Sequence, residues 1–127
     1  MIYAFFMKFF TARKFSNKKT VIDGIKFDSL LESSVYLMYK AILDCKGIRE
    51  IIFQPKVYLT AAKILYKPDF KIIKNDGSYY YAEAKGAVTA VFAIKKRLWQ
   101  HYGDGDLLIY KGSAKKFHLV ETVKKKG

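Results

Sequence analysis

Between Tyr66 and Gly86 the chain reads YKPDFKIIKNDGSYYYAEAKG, two strand-like runs on either side of Asn75-Asp76-Gly77. Successive side chains point to opposite faces of a strand, so the length of this turn decides which of them meet. A three-residue loop with Gly77 in the left-handed position sets Lys74 against Ser78 and, further along, Asp69 directly against Glu83. Opposed Cβ atoms lie roughly 4.5 to 5.5 Å apart, close enough for two carboxylates to hold one cation. Lys85 points the same way as Glu83. Phe70, Ile72, Tyr80, Ala82 and Ala84 fall on the other face as a core surface. A two-residue Asp76-Gly77 loop would turn Asp69 away from Glu83, and glycine in third place favours the longer loop.

The flanking sequence supplies a domain around this hairpin. Asp23-Gly24, between Val21-Ile22 and Ile25-Lys26-Phe27, marks a tight hairpin whose central positions want positive φ. Leu31, Val35, Met38, Ile42 and Cys45 recur at helical spacing from Ser29 to Gly47. Strand-like segments follow over 48–60, broken at Pro55, then at 64–73 and 79–85. Val91, Ile94, Leu98 and Tyr102 give a second helical stripe over 89–102, closed by Gly103. Strands at 106–110 and 116–123 complete a mixed sheet flanked by helices, an α/β (α+β) single domain. Residues 1–19 read as an N-terminal arm or oligomer contact, 20–123 as the core and 124–127 as a basic tail. The apolar start MIYAFFMKFF lacks a basic leader and is interrupted by Lys8, which argues against a signal peptide or a membrane span.

Charge names the class of partner. Twenty-four Lys and Arg against eleven Asp and Glu leave +13, a surplus that draws polyanions, nucleic acid first among them. A lone Cys45 suits a reducing cytoplasm and, with His101 and His118 isolated, builds no zinc site. No Gly-rich phosphate loop is present, which argues against a nucleotide-driven motor. The ten tyrosines and ten phenylalanines fall mostly at core positions rather than on a stacking platform.

Two acids in opposition on a sheet repel each other unless a cation neutralises them. Carboxylate oxygens suit Mg²⁺, with Mn²⁺ as a substitute, and such an ion polarises a phosphate and yields hydroxide nearby. Lys85 can orient the attacking water or offset charge on the phosphorane; its bland alternative is a solvated ion pair with Glu83 or Asp69. Ser29-Leu30-Leu31-Glu32 is a capping box, and Glu32 either closes that box or turns toward a second metal. Lys95, Lys96 and Arg97 on the second helix are candidates for holding phosphates, against a merely solvated basic face. Gln54 is a candidate hydrogen bonder at the site's edge.

Tyr66-Lys67-Pro68-Asp69-Phe70 followed by Glu83-Ala84-Lys85-Gly86 resembles the PD-(D/E)XK nuclease superfamily, with Asp69, Glu83 and Lys85 at its signature positions. Gly24 to Glu32 resembles the segment with an additional helix-borne glutamate in phage endonuclease I-type Holliday junction resolvases and related small phage nucleases. The Gln54-Pro55 step is similar to those relatives and to the nuclease subunit of some transposition systems. The resemblance implies a restriction-endonuclease-like fold and a metal-dependent DNA endonuclease leaving 5′-phosphate ends. It further implies a homodimer acting on branched DNA, without a membrane, in the cytoplasm of a bacterial or phage-infected cell. By the same resemblance Asp69, Glu83, Glu32 and the Ala84 carbonyl hold the metal and Lys85 is the catalytic cation; Lys67, Gln54, Lys95, Lys96 and Arg97 are the candidates to face DNA. A restriction-like, repair or transposon-end nicking enzyme, and a nucleic-acid-binding protein without catalysis, are the alternatives.

Overall fold

The computed structural model describes residues 19–87 and 89–124, so the apolar start and most of the N-terminal arm lie outside the described residues. Strands β1 (Thr20–Ile22) and β2 (Ile25–Phe27) form the expected hairpin, with Asp23 at φ 53° and Gly24 at φ 78°. Helix α1 (Leu30–Asp44) starts at Ser29, whose hydroxyl accepts the Glu32 N–H at 3.1 Å. Then come β3 (Glu50–Phe53), β4 (Val57–Tyr58), β5 (Leu65–Tyr66), β6 (Phe70–Ile73) and β7 (Tyr79–Ala84). Helix α2 (Ala90–Tyr102) and strands β8 (Leu107–Gly112) and β9 (Phe117–Val123) complete the order. The result is a single-domain α+β fold with a five-stranded mixed sheet in the order β3-β6-β7-β8-β9, parallel only between β7 and β8. Among the described residues no helix is long and apolar enough to cross a membrane.

The turn that sets the register has three residues. Gly77 N–H donates to the Lys74 carbonyl at 3.0 Å, Lys74 N–H to Ser78 at 2.7 Å, and Gly77 adopts φ 89°. Asp76 fastens the loop by accepting the Ser78 N–H at 2.9 Å. Phe70 consequently pairs with Ala82 and Ile73 with Tyr79, the register that directs Asp69 toward Glu83.

Three expectations need correction. The run 64–73 is two strands: β5 pairs with β4 in a separate small hairpin, and only β6 joins the main sheet. Gln54 at φ 46°, followed by Pro55, and Pro68, which lacks an N–H, mark the two crossings between them. The stripe read for α1 is also rotated. Its buried side includes Glu32, Val35, Tyr36 and Tyr39, while Ile42 and Cys45 are exposed. Of the stripe read for α2 only Leu98 packs against the core; Val91 62%, Ile94 60% and Tyr102 55% are exposed, and Phe92 and Trp99 are the buried residues.

Both faces of the sheet are therefore covered. On one, α1 and the β1–β2 hairpin enclose Phe27, Val35, Tyr39, Phe70, Ile72 and Ala82. On the other, α2 and the β4–β5 hairpin enclose Leu59, Tyr66, Tyr81, Trp99, Leu107 and Ile109. Trp99 Nε1 donates to the Gly105 carbonyl at 2.8 Å, and a Cβ on Gly103 would stand 2.6 Å from its ring, so a glycine must end α2 there. The carboxylate face is thus a second core and not an open surface.

A Cβ at Gly77 would meet nothing nearer than the Arg49 guanidinium at 3.8 Å, so only the left-handed backbone resists a side chain there. Gly77→Ala should destabilise the protein by about 1 kcal/mol and Gly77→Asn by less, measured by urea unfolding. Equal losses for the two would contradict the backbone account.

Candidate active site

At the Pro68-Asp69 step the strand ladder gives way to side chains. Asp69 N–H donates to Glu83 Oε1 at 3.2 Å, and Ala84 N–H donates to Asp69 Oδ2 at 2.8 Å. Each acid thus satisfies a main-chain donor beside the other. Tyr66 Oη donates to the same Glu83 Oε1 at 3.0 Å, and Lys85 Nζ lies 3.3 Å from Oε2. Among the described residues no hydrogen bond reaches Asp69 Oδ1, while the other three oxygens of the pair each have a partner.

Glu32 approaches from the first turn of α1. Its position on the buried side of the helix brings it to a cleft of about 200 Å³, lined also by Lys26, Phe27, Phe53, Gln54 and Asp69. Among the described residues only half of the capping box forms: Ser29 caps the Glu32 amide, while Glu32 lines the cleft. Glu32 and Glu83 are 7% and 6% exposed.

Burial of three acids near one another raises all of them. Burial, then the negative charges of Asp28 and Glu83, push the Glu32 carboxyl up to about 7. Asp69 is held well above the usual carboxylate range by burial and by Glu83 and Glu32, against the Ala84 amide and Lys85. Burial raises Glu83 too, opposed chiefly by Lys85 and the Tyr66 hydroxyl. Lys85 is the only cation bonded to this group among the described residues.

The donor set suits a hard cation in part. Among the described residues no three His, Cys, Asp or Glu side chains gather as a ready metal cluster. The fit rests on Asp69 and Glu83, with a main-chain carbonyl and water to complete the shell as Mg²⁺ usually requires. Such an ion would relieve the repulsion that Glu83 and Glu32 exert on Asp69, whose Oδ1 has no partner among the described residues.

The basic candidates divide. Lys95 Nζ lies 5.8 Å from the Tyr66 ring and so borders the site. Lys96 is paired with Glu121 of β9 at 2.8 Å, and Arg97 lines the outer groove of α2 with Ile94, Leu98 and His101. Neither lies with the acids. Gln54 is exposed and lines the cleft, and Lys67, His101 and His118 are exposed. Two residues were not read as site members: Tyr66, in contact with Glu83, and Phe92, whose ring centroid is 4.4 Å from Lys85 Nζ.

Residues 12–117 match a family model described as a protein of unknown function, DUF1064. The chain belongs to the DUF1064 family. Comparison with curated proteins gives no match. The matched span takes in Glu32, Asp69, Glu83, Lys85 and both helices, so the whole cleft lies inside the family's common region.

The raised Glu32 gives a signed dependence on pH. Unfolded, the side chain loses its proton near 4.5 and folded near 7, so stability present at low pH is lost as pH rises through that window. The full difference is about 3 kcal/mol. Glu32→Gln should match the wild type at pH 5 and melt several degrees higher at pH 8 without metal. Equal melting at pH 8 would show that Glu32 is not strained.

Proposed function

We propose that this chain is a Mg²⁺-dependent DNA endonuclease, selective for branched structures and leaving 5′-phosphate ends. The observation that carries the reading is the convergence of Asp69 and Glu83, Glu83 accepting the Asp69 amide and Asp69 the Ala84 amide, with Lys85 beside them and Glu32 across the cleft. Packing alone does not explain three carboxylates raised by burial, two of them also by their acidic neighbours, in a chain of net charge +13. The resemblance of Tyr66 to Phe70 and Glu83 to Gly86 to PD-(D/E)XK nucleases supports the same chemistry.

In this reading Asp69 and Glu83, with the Ala84 carbonyl, hold the cation, and Glu32 serves a second ion. A bound divalent cation supplies a polarised phosphate and a more acidic water. Lys85 lies where it can leave Glu83 Oε2 for the phosphate and offset charge on the phosphorane. Water oxygen bonds to phosphorus as the P–O3′ bond breaks; the proton water loses balances the one the 3′ oxygen gains. Lys26, Lys67 and Lys95 at the cleft margin position the phosphate backbone, and backbone contacts of this kind carry no sequence information. Gln54 is the polar group beside Asp69 at the rim.

Asp69→Asn, Glu83→Gln and Lys85→Ala should each abolish Mg²⁺-dependent cutting of a labelled four-way junction while binding in Ca²⁺ persists. Residual cutting by all three rules the site out. Mn²⁺ should raise the melting temperature of the wild type, because a ligand of the folded state stabilises it; Asp69→Asn should lose most of that rise. Equal rates on linear, nicked and four-way substrates would remove the branched-DNA preference and favour a restriction-like or nicking enzyme.

A further inference from the structure

Lys85 is held from two directions. Glu83 Oε2 draws its ammonium from one side at 3.3 Å, and the Phe92 ring faces it from the other, centroid 4.4 Å from Nζ. Phe92 belongs to the first turn of α2, and its position is set by the backbone: Thr89 Oγ caps the helix by accepting the Phe92 N–H at 3.1 Å. The ring is 4% exposed and packs with Tyr66, so it cannot swing away from the lysine.

A lysine carries its charge on a flexible four-carbon stem and has no planar group to fix its direction. Beside two buried acids such a stem would settle into an ordinary ion pair. The negative face of an aromatic ring offers a competing attraction of similar reach, and more so where water is excluded. The side chain of Lys85 is 25% exposed, so the contact is partly shielded from water. A helix expected to contribute its cations thus contributes an aromatic surface to the site.

We propose that Phe92 is a positioning residue for Lys85: its ring face holds the ammonium at the cleft margin, in reach of both Glu83 and a phosphate. The inference rests on the nuclease reading for its effect on rate, but not for the contact itself. In ¹³C- and ¹⁵N-lysine-labelled protein, the Lys85 Cε methylene protons should be shifted upfield by the ring in wild type and Phe92→Tyr, and not in Phe92→Leu.

Single-turnover cutting of a four-way junction should fall about ten-fold in Phe92→Leu, the scale of a desolvated cation–π contact, and recover in Phe92→Tyr or Phe92→Trp. Stabilisation by Mn²⁺ should be unchanged in Phe92→Leu, since the carboxylates are untouched, which separates lost positioning from a damaged site. Absence of the upfield shift in the wild type overturns the proposal whatever the enzyme does. So does wild-type cutting by Phe92→Leu, or equal slowing by leucine and both aromatics. A wild type that shows the shift and cuts nothing overturns the nuclease reading and the role in rate, and leaves the ring-lysine contact standing.

Discussion

Two carboxylates take over strand pairing at the point where Pro68 interrupts it. The Asp69 N–H bonds to Glu83 and the Ala84 N–H to Asp69, so each acid satisfies a main-chain donor on the other's strand. A buried N–H left without an acceptor costs about 1 to 3 kcal/mol, which makes these bonds structural as well as chemical. The acids are therefore fixed in place by the sheet itself. The small β4–β5 hairpin depends on the same point, since Tyr66 reaches Glu83 from its end.

This arrangement concentrates three of the chain's eleven acids in one place. The surface is basic and the cleft acidic, so the exterior attracts a polyanion and the centre repels it unless a cation intervenes. Glu32 carries that conflict furthest, with its carboxyl raised to about 7. The conflict follows from burial on both sides: α1 brings Glu32 in from one face of the sheet, and α2 with the β4–β5 hairpin seals Glu83 from the other.

Short-range signals were legible in the sequence because their chemistry is local. Asp23-Gly24 and Asn75-Asp76-Gly77 determine turn geometry through positive φ, and the second carries the register of Asp69 and Glu83 with it. Ser29 and Thr89 each begin a helix by accepting an amide three residues on. The helix faces were misread for opposite reasons. The first two turns of α1 are enclosed between hairpin and sheet, so its polar Glu32, Ser33 and Ser34 are buried with the apolar residues. In α2 Phe92 and Trp99 pack inward with Leu98 partly covered beside them, while Val91, Ile94 and Tyr102 of the periodic stripe are left outside.

Tyr66 shows where local reading ends. In an unbroken strand it would share the face of Phe70 and Ile72, away from the acids. The break at Pro68 sends it to the opposite face, where its hydroxyl bonds to Glu83. The sequence by itself determined the turns, the helix starts and the facing of Asp69 and Glu83, because these follow from backbone torsion and alternation over a few residues. Only the tertiary structure decided that Glu32, Tyr66 and Phe92 join them, because burial and approach between distant segments depend on how whole elements pack.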